Sequence, residues 1–200
     1  MTSAKDRRIY RFFYAVINVI LRSVYWVRYE GRENIPEGAV IVCGNHSSWV
    51  DPFLIALGMR SKDILHMMGK AELFKNRFLA WLLRKLGAFP VNRSGVDVTA
   101  VKTAVRYIKN GEKIGIFPEG TRARHDGDVE AKKGAIRISE MSKARMLPVY
   151  IPREKRLFKR FTIVFGESYS IPKSRDRSEE HYSELSRDLM NRINSLKVEE

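Results

Sequence analysis

An α/β domain, in which a central sheet carries helices on its faces, is the fold class this sequence predicts, and three observations predict it. Apolar runs of five or six residues recur along the chain, at 39–43, 64–68, 113–117, 146–151 and 161–165. The stretches between them place apolar residues at helical spacing, so strand and helix alternate. The 200 residues are 44% apolar, with ten Phe, eight Tyr and three Trp, enough to build one core in one domain.

The first element is a helix. From Ile9 to Val27, 15 of 19 residues are apolar or aromatic, nearly the length of a membrane span. At 100° per residue, Arg8, Arg11, Ala15, Asn18 and Arg22 fall within about 80° of one another, a narrow polar stripe on an otherwise apolar helix. Two placements fit it: in the plane of a membrane surface, or packed as a core helix of the domain. Arg7, Tyr25, Trp26, Arg28 and Tyr29 suit the headgroup layer. The arginines inside the run and the lack of a small-residue cleavage site argue against a secretory signal.

A break at Glu30-Gly31-Arg32 and a turn at Ile35-Pro36-Glu37-Gly38 lead into the strand 39–43, which ends at Gly44. Helix 52–57 follows, with Pro52 as its first residue and Asp51 as its N-cap. Strand 64–68 precedes a helical region, 70–86, in one or two pieces, which Gly87 ends. Residues 89–91 are extended, 97–109 form an amphipathic helix stopped by Gly111, and 113–117 form a buried strand. A helix around 131–144, strands 146–151 and 161–165, and a last helix with Tyr182, Leu185, Leu189, Ile193 and Leu196 on one face complete the order. Pro148, inside an apolar strand, marks an edge or a bulge.

The formal charge of +14 points to an anionic partner: nucleic acid, an acidic lipid surface or a phosphorylated substrate. No RNP, zinc-finger or helix-turn-helix pattern supports nucleic acid. Cys43 is the only cysteine, so no intrachain disulfide or thiolate cluster can form, and His46, His66, His125 and His181 are too dispersed for a zinc site. There is no Walker loop and no Gly-x-Gly-x-x-Gly.

Chemistry concentrates in Asn45-His46-Ser47-Ser48-Trp49-Val50-Asp51, at the mouth of the first buried strand. An imidazole takes up and returns a proton near neutrality, and a carboxylate can fix its tautomer. A turn out of the strand would bring Asp51 back to one ring nitrogen of His46 and leave the other for a substrate hydroxyl. The alternative is an Asp51 that caps the helix and a His46 that bonds only loop backbone. Ser47 and Ser48 lack a nucleophile elbow and suit turn formation. Two more runs, Gly87 to Arg93 and Phe117-Pro118-Glu119-Gly120-Thr121-Arg122, each set an arginine just past an extended segment, where its planar fork suits phosphate. The Gly120-Thr121 backbone can approach an anion closely; Glu119 would orient Arg122 or hold an acceptor hydroxyl. Lys70 is another candidate phosphate ligand. His66 matches no such run and is read as structural. The segment 153–161 mixes Arg153, Lys155, Arg156, Lys159 and Arg160 with Leu157, Phe158 and Phe161, as an acidic bilayer surface would require.

These runs, in this order, resemble the glycerolipid acyltransferase family over roughly residues 30 to 170. Asn45-His46-x-Ser48-x-x-Asp51 matches its first motif, Gly87 to Arg93 the second, Phe117 to Arg122 the third, and Leu147-Pro148-Val149 the weaker fourth. Ala123 departs from the serine that many members carry after the arginine. The resemblance implies a mainly parallel central sheet flanked by helices, preceded by an amphipathic N-terminal membrane-docking helix: residues 1–30 dock and 31–200 form the acyltransferase domain. It implies transfer of a fatty acyl group from an acyl-CoA or acyl-acyl carrier protein thioester to the sn-2 hydroxyl of lysophosphatidic acid, giving phosphatidic acid, or to another lysolipid or glycerol 3-phosphate. His46 and Asp51 would be catalytic, with Lys70, Arg93, Glu119, Gly120, Thr121 and Arg122 on the acceptor. No tightly bound cofactor, no metal and no nucleic acid is implied. The expected location is the cytoplasmic face of the cell membrane, peripheral or monotopic.

Overall fold

In the computed structural model of the protein, residues 4–59, 63–93, 95, 97–172 and 174–198 are described. Helix α1 (Ala4–Val24) leads into strand β1 (Trp26–Glu30); β2 (Ile41–Gly44), α2 (Asp51–Gly58) and β3 (Leu65–Lys70) follow. After a 3-10 turn at Ala71–Phe74 come α3 (Arg77–Lys85), β4 (Phe89–Val91), α4 (Val98–Lys109) and β5 (Lys113–Ile116). The chain finishes with α5 (Gly134–Ser142), β6 (Met146–Tyr150), β7 (Arg160–Phe165) and α6 (Glu179–Asn194).

The seven strands form one sheet in the order β1-β7-β6-β2-β5-β3-β4. Every pairing is parallel except β6 with β7. Strands β2, β5 and β6 are buried along their whole length, as parallel strands covered on both faces must be, which is why they read as unbroken apolar runs. Gly115 leaves room for the Met67 side chain, whose sulfur lies over it where a Cβ would otherwise stand. Two cores result. One, around Ile114, Ile136, Met146 and Ile193, lies under α4, α5 and α6; the other, around Val40, Leu54, Leu147 and Phe165, lies under α2.

Local chemistry sets three of the helix starts. Asp97 caps α4 by accepting from the Ala100 amide at 2.9 Å, Asn76 caps α3, and Ser178 caps α6. The antiparallel β6–β7 register pairs Val149 with Phe165 and Tyr150 with Val164, but the next bridge, Met146 with Tyr169, is displaced by one residue. Pro148 lies inside β6, between β2 and β7, with its carbonyl accepting from the Gly166 amide at 2.9 Å, so it marks no edge. The one-residue offset falls on the opposite segment, between Gly166 and Tyr169. His66 is structural in its contacts: its ring stacks on Tyr107 at 3.8 Å and its Nδ1 donates to the Gly87 carbonyl at 3.0 Å.

One expectation changes. The apolar N-terminal stretch does not stay helical to Val27, because β1 begins at Trp26 and pairs with β7 at the sheet edge. Helix α1 packs on the domain along one face and leaves an apolar outer face exposed. Tyr10, Phe13, Tyr14, Ile17 and Leu21 face inward, with the Tyr14 hydroxyl on the Leu57 carbonyl at 3.1 Å and Phe13 edge-on to Trp81. Phe12 and Val19, 65% and 70% exposed, share the outer face with Val16 and Ile20. The polar stripe of Arg8, Arg11 and Arg22 runs beside that apolar face. No helix among the described residues is long and apolar enough to cross a membrane.

Candidate active site

The site lies at the carboxyl ends of β2, β5 and β6, where an open α/β sheet places its ligands. Past Gly44, Asn45 continues the sheet with its side chain: its amide accepts from the Ile151 N–H at 2.8 Å and donates to the Ile151 carbonyl at 2.7 Å. That pair fixes where the chain leaves β2. His46 comes next, buried, with its ring stacked 4.0 Å from Phe117 at 13°.

Asp51 closes the turn. Its Oδ2 accepts from His46 Nδ1 at 3.0 Å and from the amides of Ser47 and Ser48 at 2.8 and 2.7 Å. A carboxylate only accepts, so Nδ1 carries a proton, which in the neutral ring puts the lone pair on Nε2. Asp51 is therefore not the N-cap of α2; it is the first helical residue, and Val50 holds the cap position without a side-chain bond. The loop's own amides are closer to the carboxylate than the helix end, and they take it. Burial alone would push the Asp51 carboxyl up, but the His46 hydrogen bond, the Lys155 ammonium and the two serine amides hold it below its usual range. The Ser47 hydroxyl donates to the Arg153 carbonyl at 3.0 Å and accepts from Lys155 at 2.7 Å, so it belongs to the turn.

Glu119 holds the same loop from beneath. Fully buried, it accepts from the His46 amide at 2.7 Å and from the guanidinium of Arg153. Arg153 also donates to the carbonyls of His46 and Ala123 at 3.3 and 3.0 Å and pairs with Asp126 at 2.6 Å. The sequence left Glu119 to orient Arg122 or to hold an acceptor hydroxyl; its carboxylate instead meets the His46 amide and Arg153. The Ala123 amide donates to the His46 carbonyl at 2.8 Å, so serine is not required there for the bond that matters.

Arg153 and Lys155 are the residues the sequence misplaced. Their side chains are 9% and 3% exposed, not part of a basic surface; only Arg156, Lys159 and Arg160 of that segment, with Leu157 and Phe158, stay outside. Lys155 lies 3.0 Å from Asp51 Oδ1. Burial pulls its ammonium below the ordinary lysine range, with Asp51 opposing the shift and Arg153 adding to it. A cluster of basic and apolar residues reads as surface from sequence alone; the one available hint was that a buried Asp51 needs a cation.

Among the remaining candidates, Arg93 is held below its usual range by burial, with Glu72 opposing that effect and Arg122 adding to it, so the three charges share one region. Lys70 joins them through Glu72 at 3.4 Å. Gly120 turns the chain at φ 67, its amide on the Phe117 carbonyl at 2.9 Å; Thr121 is exposed beside it. Beside Phe117 opens a mostly apolar cavity of about 580 Å³, lined by Met68, Val91, Arg93, Ile116 and Ile138.

The architecture and the His46–Asp51 pair define a class: an α/β domain with a hydrogen-bonded histidine–carboxylate pair at the mouth of its sheet. The chain belongs to the acyltransferase family, whose sequence pattern matches residues 26–152. It is similar to the 1-acyl-sn-glycerol-3-phosphate acyltransferase of Bacillus subtilis, 37% identical over 80% of this chain and 81% of that one. The enzyme of the same name from Streptococcus pneumoniae is 32% identical over 72% of this chain and 54% of its own length. Among solved structures, the 1-acyl-sn-glycerophosphate acyltransferase of Thermotoga maritima superposes with a TM-score of 0.63 at 24% identity, covering 98% of this chain and 80% of that one. The shared fold is the mostly parallel sheet flanked by helices.

Proposed function

We propose that this protein transfers a fatty acyl group from an acyl thioester to the sn-2 hydroxyl of 1-acyl-sn-glycerol 3-phosphate, giving phosphatidic acid, with His46 as general base. The names of its relatives support the reaction. The observation that carries the mechanism is the His46 Nδ1–Asp51 contact of 3.0 Å, which leaves Nε2 to accept a proton. As the acceptor oxygen attacks the thioester carbonyl carbon, Nε2 takes the hydroxyl proton. The tetrahedral intermediate then expels the thiolate, which takes that proton and leaves as a thiol. A positioned base of this kind contributes about 10²–10⁴-fold.

Arg93, Arg122 and Lys70 hold the acceptor phosphate, with the Gly120-Thr121 backbone at its edge. Glu119 serves the site by fixing the His46 amide. The apolar cavity beside Phe117 suits an acyl chain. Residues 1–30 form the docking segment and 31–200 the acyltransferase domain, although β1 ties the end of that segment into the sheet. The outer apolar face of α1, flanked by Arg8, Arg11 and Arg22, rests on an anionic membrane surface, so the enzyme is peripheral or monotopic on the cytoplasmic face. The donor is acyl-CoA or acyl-acyl carrier protein.

Purified protein on vesicles, given labelled acyl thioesters and a panel of lysolipids and glycerol 3-phosphate, tests the assignment. Labelled phosphatidic acid supports it; acylation of glycerol 3-phosphate alone overturns it.

A further inference from the structure

Asp51 has two oxygens, and the reaction described above uses one. Oδ2 takes His46 and the two serine amides; Oδ1 faces Lys155 Nζ at 3.0 Å. The lysine reaches it from the segment after β6, more than a hundred residues away in sequence, and is itself fixed by the Ser47 hydroxyl at 2.7 Å. We propose that Lys155 is a positioning residue of the reaction, acting through Asp51: its ammonium anchors the second carboxylate oxygen and so keeps the first aimed at His46 Nδ1.

The physical need is specific. Asp51 is fully buried, and a buried carboxylate with one free oxygen can rotate, or take a proton, to satisfy it. Either change weakens the acceptor that holds His46 in its Nδ1–H tautomer. An ammonium on Oδ1 blocks both. Ser47 then couples the lysine to the turn that carries His46, so base, carboxylate and cation move as one unit. The other charges nearby are already committed: Glu119 to the His46 amide and Arg153, and Arg153 to Glu119 and Asp126. Neither meets Asp51, so among the described residues Lys155 is the cation that faces this carboxylate.

The proposal rests on His46 as the base, and the test separates the two. Lys155→Met should lower kcat by roughly tenfold or more, with KM for both substrates nearly unchanged, because the Lys155 side chain is buried against Asp51 and Ser47. Lys155→Arg, which keeps the charge in a different shape, should recover part of the loss. In an Asp51→Asn background, where the amide needs no cation, adding Lys155→Met should cost little further activity, and this pair also removes the unpaired buried charge that could unfold the single variant. Losses that multiply in the double variant, or a Lys155→Met effect confined to KM, would overturn the role of Lys155. An active His46→Ala enzyme would overturn the base assignment instead.

Discussion

Glu119 and His46 are joined through the backbone: a buried carboxylate accepts the His46 amide at 2.7 Å while its other oxygen takes the Arg153 guanidinium. His46 is thus held at three points, by Asp51 at the ring, Glu119 at the peptide N–H, and Ala123 with Arg153 at the carbonyl. This rigidity suits proton transfer, in which a displaced ring loses alignment with the hydroxyl.

Breaking the Glu119 clamp from one side should therefore destabilise the fold as well as slow the reaction. Glu119→Gln leaves Arg153 buried with half its charge partners, and a loss of about 3 kcal/mol is expected. Urea unfolding of the variant against the wild type measures it; an unchanged midpoint would mean that the clamp carries no energy.

Asn45 makes a quieter demand. Asn45→Ala strips the Ile151 N–H and carbonyl of their partners in a fully buried setting, for which about 2 kcal/mol is the ordinary cost. Asn45→Asp keeps the size but cannot donate to the Ile151 carbonyl, and should be no better. Thermal melts of both variants check this, and recovery in the aspartate would contradict it.

The membrane reading divides two sets of basic residues. Arg11→Ala with Arg22→Ala, or Phe12→Ser with Val19→Ser, should reduce sedimentation with anionic vesicles severalfold. Arg153→Ala should leave vesicle binding alone and lower stability, since that side chain is buried in its ion pairs. Equal vesicle loss from both sets would return Arg153 to the surface role its sequence neighbours suggested.

Asp51 also sets an acid limit. Its folded-state carboxyl lies below the usual carboxylate range, so the unfolded chain binds the proton more readily and stability rises with pH between the two values. The contribution is complete above about pH 4 and is lost as pH falls through the depressed folded value. Asp51→Asn should show a flatter dependence across that acid window in melts over a pH series, and a slope equal to wild type would remove Asp51 from the balance.

Much of this was legible in the sequence, and the parts that were not share a cause. Strands β2, β5 and β6 stood out because both faces are buried, and α4 because its apolar spacing and its terminator Gly111 are local to it. Strand β1 was hidden by its apolar neighbours in α1, and only the distant β7 makes it a strand. The acid-base pairing of His46 with Asp51 was one of two open readings, since spacing alone does not say whether a carboxylate turns toward its helix or its loop. Arg153 and Lys155 were placed outside because nothing near them in the chain reveals Glu119 and Asp51, which draw them in.

The central claim is that His46 is the base in acyl transfer to 1-acyl-sn-glycerol 3-phosphate. The most direct measurement compares folded wild-type and His46→Ala protein for labelled phosphatidic acid formed from this acceptor and a labelled acyl thioester, under single-turnover conditions on vesicles. The account predicts product from the wild type and a loss of at least about a hundredfold in the variant; comparable rates from both would contradict it.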